Sequence, residues 1–126
     1  MTQAQTDATF LIIERDPIVR MDIQETILNN FPGQMILVVA SLEDIARAFE
    51  YTRGPRIVIA SQAPKVFFEH IESLDITAPT GAVLISDHLV DDVDVTLPVT
   101  IVPKPFSSEH LVSALRTACE TLQSSR

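Results

Sequence analysis

Cysteine and basic residues are scarce in this chain, and each shortage excludes a class of protein. Cys119 is the only cysteine among 126 residues, so no internal disulfide can form. Its place in an apolar helical pattern indicates a small core residue rather than a redox centre. Lys and Arg total 9 against 17 Asp and Glu, and the net charge of -8 disfavours nucleic acids and anionic membranes. We therefore expect protein partners.

Long apolar runs and glycine-rich loops are also missing. No stretch of about 18 apolar residues could span a membrane. Residues 1–8 are polar and lack the pattern of a signal peptide, so we expect a cytoplasmic location. The only glycines are Gly33, Gly54 and Gly81, and none forms a phosphate-binding loop after the first apolar run. An enzyme is therefore the weakest of the function classes that we consider.

Short apolar runs alternate with helical patterns along the chain. The runs lie at residues 10–13, 35–40, 57–60, 82–85 and 100–102. Strands that are apolar on both faces predict a parallel sheet with helices packed on each side, which is the doubly wound α/β class. With 46% hydrophobic residues, the chain is long enough for one core and too short for a second, separate domain. We expect a flexible tail at 1–8, a domain at 9–122 and a flexible tail at 123–126.

Proline and serine mark the predicted helix starts. Pro17 and Pro64 each open a helical pattern, and Ser107 is a plausible N-cap of the last helix. Ser41 is expected to cap a helix that follows the second strand, with Asp44 completing a weaker form of capping box. The predicted buried faces of these helices repeat apolar residues at helical spacing: Val19, Ile23 and Ile27; Val66, Phe67, Ile71 and Leu74; Leu111, Leu115, Ala118 and Leu122.

Polar residues follow four of the predicted strands. In a doubly wound sheet, ligands bind outside the carboxyl ends of the strands, where the strand order reverses. Those ends should therefore bring together one small set of side chains: Glu14, Arg15, Asp16, Ser61, Ser86, Asp87 and Lys104.

Residues 11–20 (LIIERDPIVR) and 102–106 (VPKPF) resemble the opening and the Lys-Pro-Phe signature of bacterial response-regulator receiver domains. Ser86 ends the fourth strand, where receivers place Thr or Ser. The similarity spans roughly residues 9–122 in order and spacing. It implies a flavodoxin-like fold with strand order 2-1-3-4-5, and a cis bond between Lys104 and Pro105.

The chain departs from the receiver pattern at three positions. Receivers transfer a phosphoryl group to an aspartate with the help of a divalent cation held by acids. Here Arg15 replaces the second acid and Ser61 the acceptor, so the resemblance implies weak or absent Mg²⁺ binding, no metal site and no aspartyl phosphorylation. Ile101 stands where receivers carry an aromatic switch residue. Ser61 has no neighbouring base in the local sequence, and a serine hydroxyl needs one to act as a nucleophile.

Simpler structural roles are open for the same residues. Glu14 and Asp16 are also suited to the start of a helix, where acids satisfy free N–H groups. Arg15 is expected to form a local ion pair with Glu14, Asp16 or Asp87, and Lys104 an ion pair in the crevice. Ser61 could be no more than a small polar end of a strand.

The segment from Asp87 to Pro98 has twelve residues, which barely holds a crossover with its helix. We expect a shortened helix and an acidic loop there. Asp92 and Asp94 lack the EF-hand pattern that would predict calcium. The histidines have no zinc-ligand spacing: His70, His88 and His110.

The sequence favours a stand-alone, receiver-like signalling module of a two-component phosphorelay that is not an enzyme. The module would act by contact with a protein such as a histidine kinase or another regulator. The sequence is also compatible with a homodimer. The alternative is a phosphate-responsive receiver that uses another acceptor, or that binds an anion between Arg15, Ser86 and Lys104.

Overall fold

The computed structural model describes residues 8–52, 54–74, 76, 78–87, 97–104 and 106–124. Its strands are β1 (Thr9–Ile13), β2 (Ile36–Val39), β3 (Arg56–Ala60), β4 (Thr80–Ile85) and β5 (Val99–Val102). Its helices are α1 (Pro17–Asn30), α2 (Ile45–Tyr51), α3 (Pro64–Ile71) and α4 (Ser108–Ser124), with a 3-10 turn at Leu42–Asp44 before α2. Strands and helices therefore alternate from β1 to β4, as the sequence predicts, and a helix follows β5.

The five strands form one parallel sheet in the order β2-β1-β3-β4-β5. Alternate side chains of each strand enter two separate core clusters, because successive residues of a strand point to opposite faces. One cluster lies under α1 and α4, and the other under α2 and α3. The doubly wound class and the strand order are confirmed.

Prolines and a serine begin the helices as predicted. Pro17 occupies the first turn of α1 and Pro64 that of α3. Ser107 accepts a hydrogen bond from the His110 N–H at 3.1 Å, which is the N-cap contact predicted for α4. Gly33 has a φ of 84°, a left-handed conformation suited to the turn that follows α1.

Two local predictions are wrong. Ser41 makes no side-chain cap bond: the chain first forms a 3-10 turn, so α2 begins only at Ile45, and the Ser41 hydroxyl donates to Asp44 Oδ2 at 3.2 Å. Val66 lies off the buried face of α3 and is 39% exposed, whereas Phe67 and Ile71 are buried.

Several expectations fall at or beyond the edges of the described residues. Ala8, at the end of the expected N-terminal tail, is buried in the core under α1 and α4. α4 continues to Ser124, inside the expected C-terminal tail. The shortened helix with its acidic loop, the Lys104–Pro105 bond and residues 1–7 lie outside the described residues. None of the described helices has the length and apolar character needed to cross a membrane.

Candidate functional site

The carboxyl ends of the inner strands bring Glu14 and Ser61 side by side. Ile13 of β1 is paired with Ala60 of β3, so the residue that follows each strand stands at the same level. Ser61 and Lys104 line the same cavity at this edge, although they belong to the ends of β3 and β5. The convergence expected of the strand ends is therefore present for these residues.

Glu14 is the centre of the site. Its side chain is buried, and its Oε1 atom accepts a short hydrogen bond from the Ser61 hydroxyl. Its Oε2 atom accepts the Asp16 N–H at 3.1 Å. A buried carboxylate requires such donors, because desolvation would otherwise disfavour its charge. Both oxygens are therefore held by protein donors.

The start of α1 holds Asp16 and Arg20 through hydrogen bonds, but not Arg15. Asp16 Oδ1 accepts the Ile18 N–H at 2.9 Å, which makes Asp16 the N-cap of α1. Arg20 donates from Nη1 to the Glu14 carbonyl oxygen at 3.3 Å. Arg15 is exposed, and within the described residues it forms no ion pair with Glu14, Asp16 or Asp87. The local ion pair expected of Arg15 is thus not found with any of the three acids.

The ends of β4 and β5 carry the other predicted residues. Ser86 is buried, and its N–H donates to the Val102 carbonyl at 3.0 Å. Asp87 Oδ1 accepts the backbone N–H of Lys104 at 3.3 Å, so the two residues meet through the main chain. Both are exposed, and the described residues contain no ion pair of the Lys104 ammonium. Ile101 is half-buried and packs against the core under α2 and α3.

The Glu14–Ser61 pair borders two cavities, and both residues line each of them. The smaller, about 210 Å³, is also lined by Arg15, Ser41, Glu43, Gln62 and His70. The larger, about 590 Å³, is also lined by Asp16, Val19, Asp22, Asp87, Lys104 and Phe106. Arg15 and Lys104 therefore line different cavities.

The oxygens at this edge do not match a receiver's cation site. Mg²⁺ needs lone pairs of hard oxygen atoms in a nearly octahedral arrangement. Here Ser61 directs a proton at Glu14, and the N–H groups of Asp16 and Lys104 take up further carboxylate oxygens. No cluster of three or more His, Cys, Asp or Glu residues within the described part of the chain is arranged to hold a metal ion. The side chains at this edge therefore do not fit an Mg²⁺ ion.

Sequence reasoning missed the partner of Ser61. No base is adjacent to Ser61 in the chain, yet the fold places the Glu14 carboxylate on its hydroxyl from 47 residues away. The register of two neighbouring parallel strands could have indicated this contact. Asp22 was missed too, and the signal was its place on α1 six residues after Asp16, where the helix borders the crevice.

Comparison with known proteins supports the fold. Neither a scan of family models nor a search of curated proteins gave a match. Among solved structures, the chain is similar to a CheY-like response regulator receiver domain protein from Methanospirillum hungatei JF-1, with 13% identity and a TM-score of 0.63, over 94% of this chain and 98% of that one.

Two further structures are similar. One is the signal receiver domain of an HD domain-containing protein from Pseudomonas fluorescens Pf-5, with 11% identity and a TM-score of 0.67, over 100% of this chain and 96% of that one. The other is the response regulator PhyR from Brucella abortus, with 20% identity and a TM-score of 0.67. This chain aligns over 96% of its own length and spans 51% of PhyR. At these identities, the likeness establishes the CheY-like, flavodoxin-like fold.

Proposed function

We propose that this chain is a receiver-like module of two-component signalling that acts by protein contact, without aspartyl phosphorylation. The observation that carries the proposal is the hydrogen bond from Ser61 to Glu14. Ser61 follows β3, where a receiver has its phosphoacceptor aspartate, and its hydroxyl is bound to the first acid of the site. The position thus offers no carboxylate, either to form an acyl phosphate or to contribute a negative charge to a cation site.

In this proposal the module works in the cytoplasm and catalyses no reaction. Its partner is a histidine kinase or another regulator of the same pathway. Ile101 supports a changed readout, because it is an aliphatic residue packed against the core in place of an aromatic switch.

Incubation with acetyl phosphate and Mg²⁺, followed by intact mass spectrometry, tests the proposal. We expect the parent chain to keep its mass. The double variant Arg15→Asp with Ser61→Asp should gain one phosphoryl group, because it restores an acceptor and removes the cation beside it. The single variant Arg15→Asp is the matched control and should stay unmodified. A phosphoryl adduct on the parent would refute the proposal.

The phosphate-responsive alternative has less support. It needs Arg15 and Lys104 to surround one anion, yet the two side chains line different cavities. Lys104 shares its cavity with four acids, which are Glu14, Asp16, Asp22 and Asp87. Their charges repel a phosphate and also disfavour phosphoryl transfer to Ser61.

A further inference from the structure

Strand β2 lies on the outside of the sheet and pairs, among the described strands, with β1 alone. The Phe10 N–H donates to the Met35 carbonyl at 2.9 Å, so the main chain of Met35 faces β1. Successive residues of a strand direct their N–H and C=O groups to opposite sides in turn, so Leu37 faces β1 as well. The N–H and C=O groups of Ile36 and Val38 therefore point outward, away from β1.

The side chains along this outer strand are all apolar. Met35 is 68% exposed and Val38 is 39% exposed. Ile36 and Leu37 are half-buried and pack against the two core clusters on opposite faces of the sheet. An apolar strand whose outward main-chain groups have no neighbouring strand is a template for another strand. We name residues 35–39 the β2 edge.

The β2 edge lies in the longest charge-free stretch of the chain. Charged residues make up 21% of the sequence, yet residues 26–42 contain none. Proteins commonly protect an outer strand with a charged side chain or a proline, and the β2 edge has neither. Two copies with a net charge of -8 each repel one another over most of their surfaces, and this stretch adds nothing to that repulsion.

The opposite outer strand, β5, carries such a protection. Pro103 follows β5 directly and has no N–H group to donate to an added strand. Lys104 comes next and is exposed, so it places a charge at the same end of the strand. Of the two outer strands, the β2 edge is therefore the one suited to accept another strand.

We propose that the β2 edges of two copies of this chain pair in antiparallel fashion and join the two sheets into one. A two-fold axis through Leu37 sets Ile36 of one copy opposite Val38 of the other. Each such pair exchanges two hydrogen bonds through its outward N–H and C=O groups. Met35 then lies opposite Val39 of the other copy, so every cross-strand pair is apolar on both sides.

The β2 edge selects a second copy because it is complementary to itself. A two-fold axis requires identical strands to run antiparallel, and this arrangement uses up both β2 edges, so the assembly closes at two copies. A charged strand of another protein would find no opposite charge among residues 26–42. The inference goes beyond the proposed function and does not depend on whether the chain accepts a phosphoryl group.

Sedimentation equilibrium of the full chain, from about 1 μM to about 1 mM, tests the assembly. β2 has four residues, so the contact is small, and small interfaces are weak. We expect a reversible monomer–dimer equilibrium with a dissociation constant on the order of 100 μM. A chain that stays monomeric throughout would overturn the inference and leave the β2 edge to a strand of a different protein. Aggregates larger than a dimer would overturn it too.

Two variants of one residue test the contact, and a third is their control. Val38→Lys should weaken dimerisation at least about tenfold, because it brings two like charges close to the two-fold axis. Val38→Pro should do the same, because it removes an outward N–H group and leaves the hydrogen bonds to β1 in place. Val66→Lys on α3 adds the same charge at a valine of the same 39% exposure and should dimerise like the parent.

Hydrogen exchange of the parent chain, measured by NMR below and above the dissociation constant, locates the contact without a substitution. The Ile36 and Val38 N–H groups should become protected at high concentration, whereas the Leu37 N–H, which faces β1, should be protected at both. Dimerisation that Val38→Lys and Val38→Pro leave unchanged, or protection that appears away from the β2 edge, would overturn the inference.

Discussion

Each end of the sheet holds one buried charged side chain, but the surroundings of the two side chains differ. At the amino end, Arg56 begins β3 and is 2% exposed. It donates to Thr80 Oγ1 at 3.0 Å, to Thr52 Oγ1 at 3.1 Å and to the carbonyls of Phe49 and Thr52, and its guanidinium lies 3.8 Å from the centroid of the Phe49 ring. At the carboxyl end, the buried charge is Glu14, which borders two cavities.

The difference separates stability from function. Arg56 ties the end of α2 to β3 and β4 through neutral oxygens, and helix carbonyls favour a cation. Burial lowers the pKa of the Arg56 guanidinium, yet arginine keeps its proton at any working pH, so this group should add no pH dependence. Glu14 is satisfied by Ser61 and Asp16, and its surroundings stay open to solvent. The amino end is a structural clamp, and the carboxyl end holds its buried charge beside two cavities.

The clamp predicts the largest effect of a single change. Arg56→Ala should lower the free energy of unfolding by about 3 kcal/mol, because it leaves buried oxygens without donors and removes the packing on Phe49. Urea denaturation measures this loss. Arg116→Ala, which removes an exposed arginine from α4, is the control and should change stability by less than about 0.5 kcal/mol. Equal midpoints for the two variants would mean that Arg56 is no clamp.

The Glu14–Ser61 pair should be weaker than the clamp. Ser61→Ala should cost about 1.5 kcal/mol, because the buried carboxylate loses a donor. A double-mutant cycle with Glu14→Gln measures the coupling of the two side chains. Ser113→Ala on the exposed side of α4 is the matched control. Additive effects of the two changes would show that the hydrogen bond contributes nothing to stability.

Loss of a helix cap should have the smallest effect on stability. The caps also test whether contacts that involve no buried charge contribute less than the two buried charges do. Ser107→Ala should destabilise the chain by about 1 kcal/mol, because the His110 N–H loses its acceptor. Ser41→Ala should cost less, since Ser41 caps no N–H group. A thermal unfolding series of both variants checks the order. A larger loss for Ser41→Ala would contradict it.

The sequence predicts most of the fold because the relevant signals are local. Apolar runs and helical spacing give the five strands and the helices that cover the sheet, and Pro17, Pro64 and Ser107 mark three helix starts correctly. The cap predicted at Ser41 was wrong because the chain forms a 3-10 turn at Leu42–Asp44 before α2 begins. Arg56 was missed because a charged residue next to an apolar run looks like a strand boundary. Its burial is favourable because the carbonyls at the end of α2 and the hydroxyls of Thr52 and Thr80 accept its N–H groups.

The candidate site could be predicted as a set of positions but not as a set of contacts. Strand order alone brings Glu14, Ser61 and Lys104 to one edge. Which cavity Arg15 faces depends on the direction of its side chain, and the bond between Glu14 and Ser61 depends on two rotamers, neither of which the sequence encodes locally.

Titration with Mg²⁺, observed through the backbone N–H resonances of Glu14, Asp16 and Ser61, tests the central claim most directly. The variant carrying Arg15→Asp and Ser61→Asp should show saturable shifts at these positions, because it adds two carboxylates to the edge. The parent should show no such shifts at concentrations that saturate the variant. Saturable binding by the parent with the affinity of the variant would contradict the claim that the Glu14–Ser61 pair has replaced the cation site.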